Sequence, residues 1–473
     1  MEKPKQPAKE PKRSDGKLAK TITQVVSSIG PNGELIETIY SLEKHRAQLA
    51  IWRNGKVAVL DRYAPDPETR LVPLSTAGAL IEHNVLRLPD APKSYGSVND
   101  LVDAIRSYIH KYVDVSEAFE RLAANYVLLS WVHDRFNELP YLRRRGDYGT
   151  GKTRFLTVVG SICYKPIFAG GASTTSPIFH LLDKLGGTLV IDEADFRFSD
   201  ESALIAKILN AGNVKGYPVL RSESSNGKDF RPRAFKVFGP KIVAMRGRYE
   251  DPALESRFLT ETSTNPTKRH DVPINLPEEQ EVEAATLRSK LLQYRFENFH
   301  RFRASATLDL SSADIEPRMH QILTPLMAVA EDETDREAIL AHASAAQDAL
   351  RKARGQTVEA EVLTVIRKLL AETSGAGVSM RDISAVHGRA YLDAISRPMA
   401  PRAIGHIVRN RLNLDAVKSH GVFVVPKTQA SALERLYQRY GVDEEDVAVL
   451  AERLGETTKL DFGDVGDVRP GAA

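Results

Sequence analysis

One octapeptide constrains this chain more than any other feature: residues 146–153 have the sequence Gly-Asp-Tyr-Gly-Thr-Gly-Lys-Thr, a complete G-x-x-x-x-G-K-T pattern. Glycines at this spacing let consecutive backbone N–H groups converge on one anion, and a helix starting near Lys152 adds the positive end of its dipole. The pattern predicts a phosphate-binding loop whose backbone comes from Gly146, Gly149, Thr150 and Gly151. The alternative is a glycine-rich turn with an exposed lysine.

A second motif follows along the chain, where residues 188–193 form an apolar strand that ends in Asp192 and Glu193. In a buried parallel strand these carboxylates would lie at the C-terminal edge, where open α/β sheets bind ligands. The two motifs in this order predict ATP or another nucleoside triphosphate as ligand, with Mg²⁺. Lys152 would reach the β- and γ-phosphates, Thr153 and Asp192 would hold Mg²⁺, and Glu193 would polarise the attacking water. The alternative is a strand that ends in solvated acids.

Two cationic elements come next. Residues 220–238 are predicted as a β-hairpin with Asn226-Gly227 at its turn; its candidate nucleic-acid contacts are Lys228, Arg231 and Arg233. Beyond the following strand, Arg257 is placed to point out of its own subunit towards the γ-phosphate of a neighbour, as a catalytic arginine finger does. A surface salt bridge with Glu250 or Glu255 is the alternative for Arg257.

These motifs together resemble P-loop ATPases of phages, plasmids and integrated elements, an AAA+-type family of primase-helicase proteins. The residues that carry the resemblance are 124–126, 146–153, 188–195, 209–212, 238–241 and 253–258. The hairpin just before the fourth strand is also similar to that of superfamily III and MCM helicases, where it projects into the ring channel and grips the nucleic-acid backbone.

The resemblance implies a homo-oligomeric ring, usually of six subunits, with ATP sites between neighbours. It assigns Lys152, Thr153, Asp192 and Glu193 to one subunit and Arg257 to the next. It also makes Arg318 a candidate for the lid arginine that senses the γ-phosphate. The fold class it implies is α/β: an AAA+-like P-loop core with a parallel sheet, a small N-terminal region containing strands and helices, a helical lid and a C-terminal winged helix.

The C-terminal module is predicted from residues 400–412, where a proline near the first turn opens a helix. Arg402 and Arg409 fall away from its apolar stripe and are the candidate DNA contacts of a winged helix, with the hairpin 417–425 as the wing. A winged helix that docks a protein is the alternative.

The chain is expected to divide into seven segments. These are a disordered basic tail (1–20), an N-terminal β-rich region (21–98), a helical linker (99–140), the P-loop ATPase core (141–262), a helical lid (263–355), the winged-helix module (356–430), and a terminal helix and tail (431–473).

Composition narrows the class of protein. The formal net charge of +3 over 473 residues permits nucleic acid as a partner without demanding it. The single cysteine, Cys163, excludes a disulfide scaffold and suits a reducing cytoplasm. No apolar run approaches the roughly 20 residues of a membrane span. We therefore expect a cytoplasmic protein without a membrane partner.

Three functions compete on this sequence. The first is an ATP-driven helicase or translocase of a mobile element, acting on single-stranded or forked DNA. The second is a non-unwinding AAA+ switch that binds DNA and loads or recruits replication or transposition partners. The third, a nucleotide kinase or small-molecule NTPase, is disfavoured by the cationic hairpin and the arginine finger. A separate primase or replication initiator is a candidate partner. Priming by this chain itself is not expected, since the segment ahead of the core shows no clustered carboxylate motif.

Overall fold

The protein is described by a computed structural model that covers residues 21–41, 43–75, 79–170, 174–192, 200–225, 229–249, 251–263, 269–303, 315–391, 398–419 and 421–455. The basic tail (1–20), Glu193, Lys228 and Glu250 lie outside these residues. The chain forms two compact units, Met1–Ser344 and Ala345–Ala473. Within the described residues, no helix has the length and apolar character needed to cross a bilayer.

The first unit combines strands and helices along its whole length. Its strands are β1 (Thr21–Val25), β2 (Ser27–Ile29), β3 (Leu35–Ser41), β4 (Arg46–Arg53), β5 (Lys56–Leu60), β6 (Thr69–Pro73), β7 (Tyr141–Gly146), β8 (Ile167–Ala169), β9 (Leu189–Ile191), β10 (Val219–Ser225), β11 (Asp229–Phe235), β12 (Lys241–Met245) and β13 (Phe258–Ser263). Its helices are α1 (Ala79–Glu82), α2 (Val98–Tyr112), α3 (Glu117–Val132), α4 (Lys152–Ile162), α5 (Thr175–Leu185), α6 (Asp200–Ala211), α7 (Pro252–Glu255), α8 (Glu278–Asn298) and α9 (Pro317–Val329), and α10 (Glu333–Gly355) continues into the second unit.

A five-stranded parallel sheet forms the centre of the first unit, in the order β13-β7-β12-β9-β8. Every residue of β9 and β12 is buried, as expected of parallel strands covered on both faces. β12 lies between the strand that leads into the glycine-rich loop and the strand that leads to the acidic pair. The parallel sheet expected for the core is confirmed.

Helices cover both faces of this sheet. One face packs against α5, α6 and the base of the β10–β11 hairpin, with a core that includes Phe179, Ile208 and Phe235. On the other face, α4 contacts β7, β9 and β12 and also packs against α2, α3 and α8. The helix α8 therefore packs on the helices of this face, and the lid expected for residues 263–355 stays a prediction. The boundaries of the seven segments stay a prediction.

Four of the N-terminal strands form an antiparallel sheet in the order β2-β3-β4-β5, with Asn54 and Gly55 at the turn between β4 and β5. Both turn residues have positive φ, 50° and 75°, which two-residue hairpins of this type require. A buried charge joins this sheet to the core: the Glu37 carboxylate is 2.8 Å from Lys165 Nζ and 2.8 Å from Arg295 Nε. Removing the Glu37 carboxylate would leave the buried Lys165 ammonium without its ion-pair partner, which is strongly destabilising.

The second unit is a small α/β module with its own core, which includes Ile366, Ile404 and Val425. Its elements are α11 (Val358–Glu372), β14 (Gly377–Ser379), α12 (Met380–Ala390), α13 (Pro401–His406), β15 (Val417–Ser419), β16 (Val422–Pro426), α14 (Ala430–Tyr440) and α15 (Glu444–Arg453). The three strands are antiparallel in the order β14-β16-β15, and one π-helical turn, Ile407–Arg411, continues α13. A hairpin therefore follows the predicted basic helix; whether the module acts as a winged helix stays a prediction.

Candidate functional site

The glycine-rich loop connects the end of β7 to the start of α4, at the C-terminal edge of the parallel sheet. Gly149 and Gly151 have φ of +74° and +75°, which L-residues rarely adopt. At Gly146 a methyl group would lie 2.6 Å from the carbonyl oxygen of Ser263, so no side chain fits there. These three glycines are thus required by the backbone itself, as the sequence pattern predicts.

Two side chains stabilise the loop from within. Lys152 Nζ donates to the carbonyl oxygens of Gly146 (2.7 Å) and Asp147 (2.6 Å), and the Thr150 hydroxyl donates to Asp147 O (2.8 Å). The lysine ammonium therefore lies over the loop and close to the N-terminus of α4. A cation, the positive end of a helix dipole and backbone N–H groups meet here, which suits a polyphosphate.

The acidic strand comes next to the same helix. The Thr153 hydroxyl, in the first turn of α4, donates a 2.7 Å hydrogen bond to Asp192 Oδ2, immediately after β9. This pairing across the sheet edge brings together the two oxygen ligands that the sequence predicts for Mg²⁺. Glu193 follows Asp192 in the sequence and lies outside the described residues.

The residues present fit Mg²⁺ and a nucleoside triphosphate. Hard divalent cations take oxygen ligands, and in phosphate sites Mg²⁺ typically uses one or two protein oxygens and the substrate phosphates for the rest. Thr153 and Asp192 supply two such oxygens. Within the described ranges, no three His, Cys, Asp or Glu residues cluster as a complete protein cage for a metal.

A cation beside the loop was left unassigned by the sequence. Met245, the last residue of β12, pairs with Arg145, so the next residue, Arg246, comes level with Gly146 at the start of the loop. The Arg246 guanidinium lies over the ring of Tyr148, 3.6 Å from its centroid, and Tyr148 is 75% exposed. An arginine after the fourth strand of the sheet is the only signal that could have indicated this pair, because stacking on Tyr148 depends on tertiary structure.

Arg257 lies at the N-terminal edge of the parallel sheet, where the strands begin, whereas the glycine-rich loop lies where they end. Phe258 pairs with Tyr141, the first residue of β7, whereas the loop follows Gly146 at its other end, roughly 17 Å away along the strand. The side chain of Arg257 donates to the Asn210 side chain at the end of α6. Arg257 is therefore remote from the glycine-rich loop of its own chain.

Arg318 lies near Arg257. Burial lowers the pKa of the Arg257 guanidinium, and the positive charge of Arg318 lowers that pKa further. The Nε atoms of both arginines are buried without a hydrogen-bond partner among the described residues. The two candidate γ-phosphate contacts thus lie together, at the edge opposite Lys152. To contact the γ-phosphate at the loop of its own chain as a lid arginine, Arg318 would have to lie at the C-terminal edge of the sheet, beside Lys152.

The salt-bridge alternative for Arg257 is wrong for Glu255. Both carboxylate oxygens of Glu255 bind Arg143, at 2.7 Å to Nη1 and 2.5 Å to Nη2, and all of these groups are buried. The backbone N–H of Tyr249 also donates to Glu255, at 3.1 Å. The carboxylate next to Arg257 in the sequence is therefore already bound by Arg143.

The predicted hairpin is confirmed: β10 and β11 pair antiparallel, from Val219 opposite Phe235 to Ser225 opposite Asp229. Of its candidate contacts, Lys228 lies outside the described residues and Arg231 is exposed. Arg233 instead turns to the protein, with Nη2 3.3 Å from Asp183 Oδ2 and its guanidinium over the Phe235 ring. The two arginines, which are equivalent candidates in the sequence, therefore differ in the structure: Arg231 is exposed, whereas Arg233 contacts its own chain.

The other candidate DNA contacts belong to the second unit. Arg402, in α13, and Arg409, in the π-helical turn, are both exposed. Ile404, Ile407 and Val408 are buried, so the apolar stripe predicted for this helix faces the core of the unit.

A buried lysine that the sequence did not single out lies at the start of β12. Lys241 Nζ donates to the carbonyl oxygens of Val237 (2.8 Å), Gly239 (2.9 Å) and Gly212 (3.3 Å). Gly212 precedes the hairpin and Val237 follows it, so one ammonium group ties both ends of the insertion to the sheet. Burial lowers the pKa of Lys241 to about 7. In the sequence, the only sign of this close approach is the pair of glycines at 212 and 239, whose carbonyl oxygens accept from Lys241.

Among known proteins, the solved structures similar to this chain have low TM-scores and low sequence identity. No family model and no curated protein matches the sequence. A solved apo structure of the NrS-1 C-terminal region is similar over 83% of this chain and 96% of its own, at 11% identity and a TM-score of 0.36. The Aeropyrum pernix ORC1 protein, solved in complex with DNA, is similar over 73% of this chain and 96% of its own, at 15% identity and a TM-score of 0.20.

Proposed function

We propose that this protein is an AAA+-type ATPase that works on DNA as a ring-forming helicase or translocase. The observation that carries the proposal is the 2.7 Å hydrogen bond between Thr153 and Asp192 beside the Lys152 loop, at the C-terminal edge of the parallel sheet. An anion-binding loop and a pair of oxygen ligands meet there, which is the arrangement that ATP with Mg²⁺ needs.

Each residue of the site has a role in phosphoryl transfer to water. The loop backbone and Lys152 bind and orient the β- and γ-phosphates, and Thr153 and Asp192 hold Mg²⁺. When bound, Mg²⁺ neutralises the charge that develops on the phosphate oxygens. Glu193 is the candidate base for the attacking water, on the strength of its position in the sequence alone. Arg246 supplies a further cation at the mouth of the loop.

Ring formation is supported by where the arginines lie. Arg257 and Arg318 form a cationic pair at the sheet edge opposite their own loop, with buried Nε atoms that lack partners among the described residues. Two neighbouring guanidinium groups are stabilised by an anion placed between them. In a ring, the γ-phosphate held by the adjacent subunit is such an anion, and a trans-acting arginine adds roughly 10³–10⁵ in rate.

DNA as the partner is supported by the cationic hairpin before the fourth strand and by the exposed arginines of the second unit. The test is ATP turnover with and without single-stranded DNA, together with strand displacement on a forked substrate. We expect stimulated turnover and displacement from the wild type and neither from Lys152→Ala. Turnover above a few per cent of wild type in Lys152→Ala would overturn the assignment of the loop.

One observation favours a non-unwinding AAA+ switch as the second candidate. Arg233 contacts Asp183, and Arg221 lies over the Phe179 ring, 4.7 Å from its centroid, so two hairpin cations are engaged by α5. A hairpin fixed to its own subunit would suit a switch that assembles partners. ATP turnover without strand displacement would favour this function.

A further inference from the structure

A basic surface covers one side of the second unit. We define the basic face as Arg402, His406, Arg409 and Lys418, all exposed side chains on α13, its π-helical turn and β15. Residues 398–427 contain five Lys or Arg and one Asp or Glu, whereas α15 begins with Glu444, Glu445 and Asp446. The charge of this unit is therefore polarised, which favours a polyanionic partner at the basic face.

Arg409 is held in a slot on this face. Its guanidinium lies over the ring of Phe423, 5.5 Å from the centroid, and Phe423 is 47% exposed. Gly405, one helical turn earlier, forms the other wall, because a methyl group there would lie 3.3 Å from Nη2 and 3.5 Å from Nη1 of Arg409. The absence of a side chain at Gly405 and the ring of Phe423 together orient the guanidinium plane.

Arg409 differs from the nearby Arg411 in its hydrogen-bond partners. Arg411 Nη1 donates to Glu359 Oε1 at 2.8 Å, as surface arginines commonly do. Arg409 makes no hydrogen bond or ion pair with any residue in the described ranges 345–391, 398–419 and 421–455. Its donors are thus oriented by packing and left for a ligand. Such a guanidinium loses little side-chain entropy on binding.

The backbone contributes to this arrangement. The N–H of Leu412 donates to the carbonyl oxygen of Ile407 at 2.9 Å, which makes the turn that carries Arg409 a π-helix. Single π-turns are rare and frequently occur at functional sites. In this turn, Ile407 and Val408 are buried while Arg409 faces solvent beside the wing strand β16.

We propose that Arg409 is the residue by which the second unit recognises guanine in the major groove of duplex DNA. The inference rests on the proposed function as far as DNA is the partner. A planar guanidinium bonds in a bidentate manner to O6 and N7 of guanine, and the B-form major groove admits a helix. The deep, narrow major groove of A-form RNA does not. Arg402 and Lys418 then contact phosphates on either side.

The test is a selection with the full chain, in the absence of nucleotide, from a library of DNA duplexes with a randomised centre. We expect the bound fraction to be enriched in guanine at one position. Arg409→Lys keeps the charge but not the planar fork. It should bind the unselected library within about threefold of wild type while losing about tenfold or more of the guanine preference.

Two further variants keep Arg409 itself and remove the slot. Gly405→Ala fills one wall and Phe423→Leu removes the other, and each should weaken the guanine preference without changing the salt dependence of binding. Arg411→Lys is the matched control, because its charge is already paired with Glu359, and it should select as wild type does.

The inference is wrong if wild type selects no guanine position, if Arg409→Lys selects the same position as strongly, or if the chain prefers RNA duplexes. Binding of no duplex at all would also overturn it and would favour protein docking at the basic face. ATP turnover stimulated by single-stranded DNA in the same preparations shows whether the proposed function stands independently.

Discussion

Thr153 Oγ1 and Asp192 Oδ2 are 2.7 Å apart, although the two residues belong to a helix and a strand end that are separated by a complete strand-and-helix unit of the chain. The contact exists because β7 and β9 are parallel and both end at the same edge of the sheet. Through this contact the first turn of α4 and the end of the acidic strand are joined by side chains.

This pair predicts how hydrolysis responds to the loss of a hydroxyl group. Thr153→Ala removes one of the two oxygen ligands, and we expect ATP turnover to fall by about 10²-fold, with a higher Mg²⁺ requirement. Thr153→Ser keeps the hydroxyl and should retain most of the activity. Turnover measured across a Mg²⁺ titration tests this, and equally poor activity in both variants would show that Thr153 has only a packing role.

The arginine pair predicts complementation between subunits. Because Arg257 lies at the edge opposite its own loop, Arg257→Ala and Lys152→Ala should each be inactive alone, yet mixed rings should regain part of the ATP turnover. An interface that combines an intact loop with an intact arginine arises only in the mixture. Arg318→Ala mixed with Lys152→Ala should behave in the same way. No recovery at any mixing ratio would argue against a shared site.

Arg246 is predicted to act on hydrolysis more than on binding. Its guanidinium lies over Tyr148 at the mouth of the loop, where a cation stabilises charge on the transferred phosphoryl group. Arg246→Ala should therefore slow turnover at saturating ATP while changing nucleotide affinity little, as measured with a fluorescent nucleotide. Tyr148→Phe preserves the ring and should resemble wild type, whereas Tyr148→Leu should be intermediate. A large loss of affinity with normal maximal turnover would contradict this role.

The hairpin offers a matched comparison between an exposed cation and one held by the protein. Arg231→Ala should reduce DNA-stimulated turnover and lower the salt dependence of single-strand binding by a slope of about 0.7, with basal turnover intact. Arg233→Ala removes a side chain that contacts Asp183 and should change the salt slope less. Lys228→Ala, at the tip predicted from the sequence, should abolish strand displacement. If Lys228→Ala displaces strands normally, the AAA+ switch becomes the better function.

The buried lysine predicts a pH dependence of stability. Because the folded-state pKa of Lys241 is lowered to about 7 from 10.5, the unfolded chain binds more protons between these values, so the free energy of unfolding rises with pH in this window. Lys241→Met removes this contribution. The stability of wild type relative to the variant should therefore increase from pH 7 to pH 10, by at most about 1.4 kcal/mol per pH unit.

Urea unfolding followed by tryptophan fluorescence measures this difference, since Trp52 and Trp131 both belong to the first unit. Lys215→Met, at an exposed position, is the control and should show no such trend. A difference between wild type and Lys241→Met that is constant with pH would mean that the three carbonyl oxygens keep the ammonium charged throughout.

The sequence predicted those parts of the site that depend on local backbone chemistry. The glycine spacing at 146–151 requires left-handed and side-chain-free positions whatever the rest of the chain does, and the Asn226-Gly227 turn likewise indicated the hairpin. The contact between Thr153 and Asp192 was also within reach, because parallel strands end at a common edge.

What could not be predicted depends on side chains from distant segments meeting. Nothing local to Arg318 indicates that it lies near Arg257, and nothing local to Arg143 indicates that it binds Glu255. The packing of α8 against α2, α3 and α4 could not be predicted for the same reason. Its contacts with Glu37 and Asp134 come from Arg295, which in sequence resembles any other helix-surface arginine.

The carbonyl contacts of Lys241 have a mechanical consequence. Lys241 is the first residue of a fully buried strand and Arg246 directly follows its last residue, about 16 Å away. The strand is hydrogen-bonded to a neighbour on each side. The strand contains no glycine or proline at which it could bend. The strand can therefore transmit a displacement between its two ends. Its C-terminal end lies beside the glycine-rich loop, and Lys241 at its N-terminal end is hydrogen-bonded to residues on both sides of the hairpin. A shift of Arg246 along the strand axis must either strain the sheet or move the hairpin.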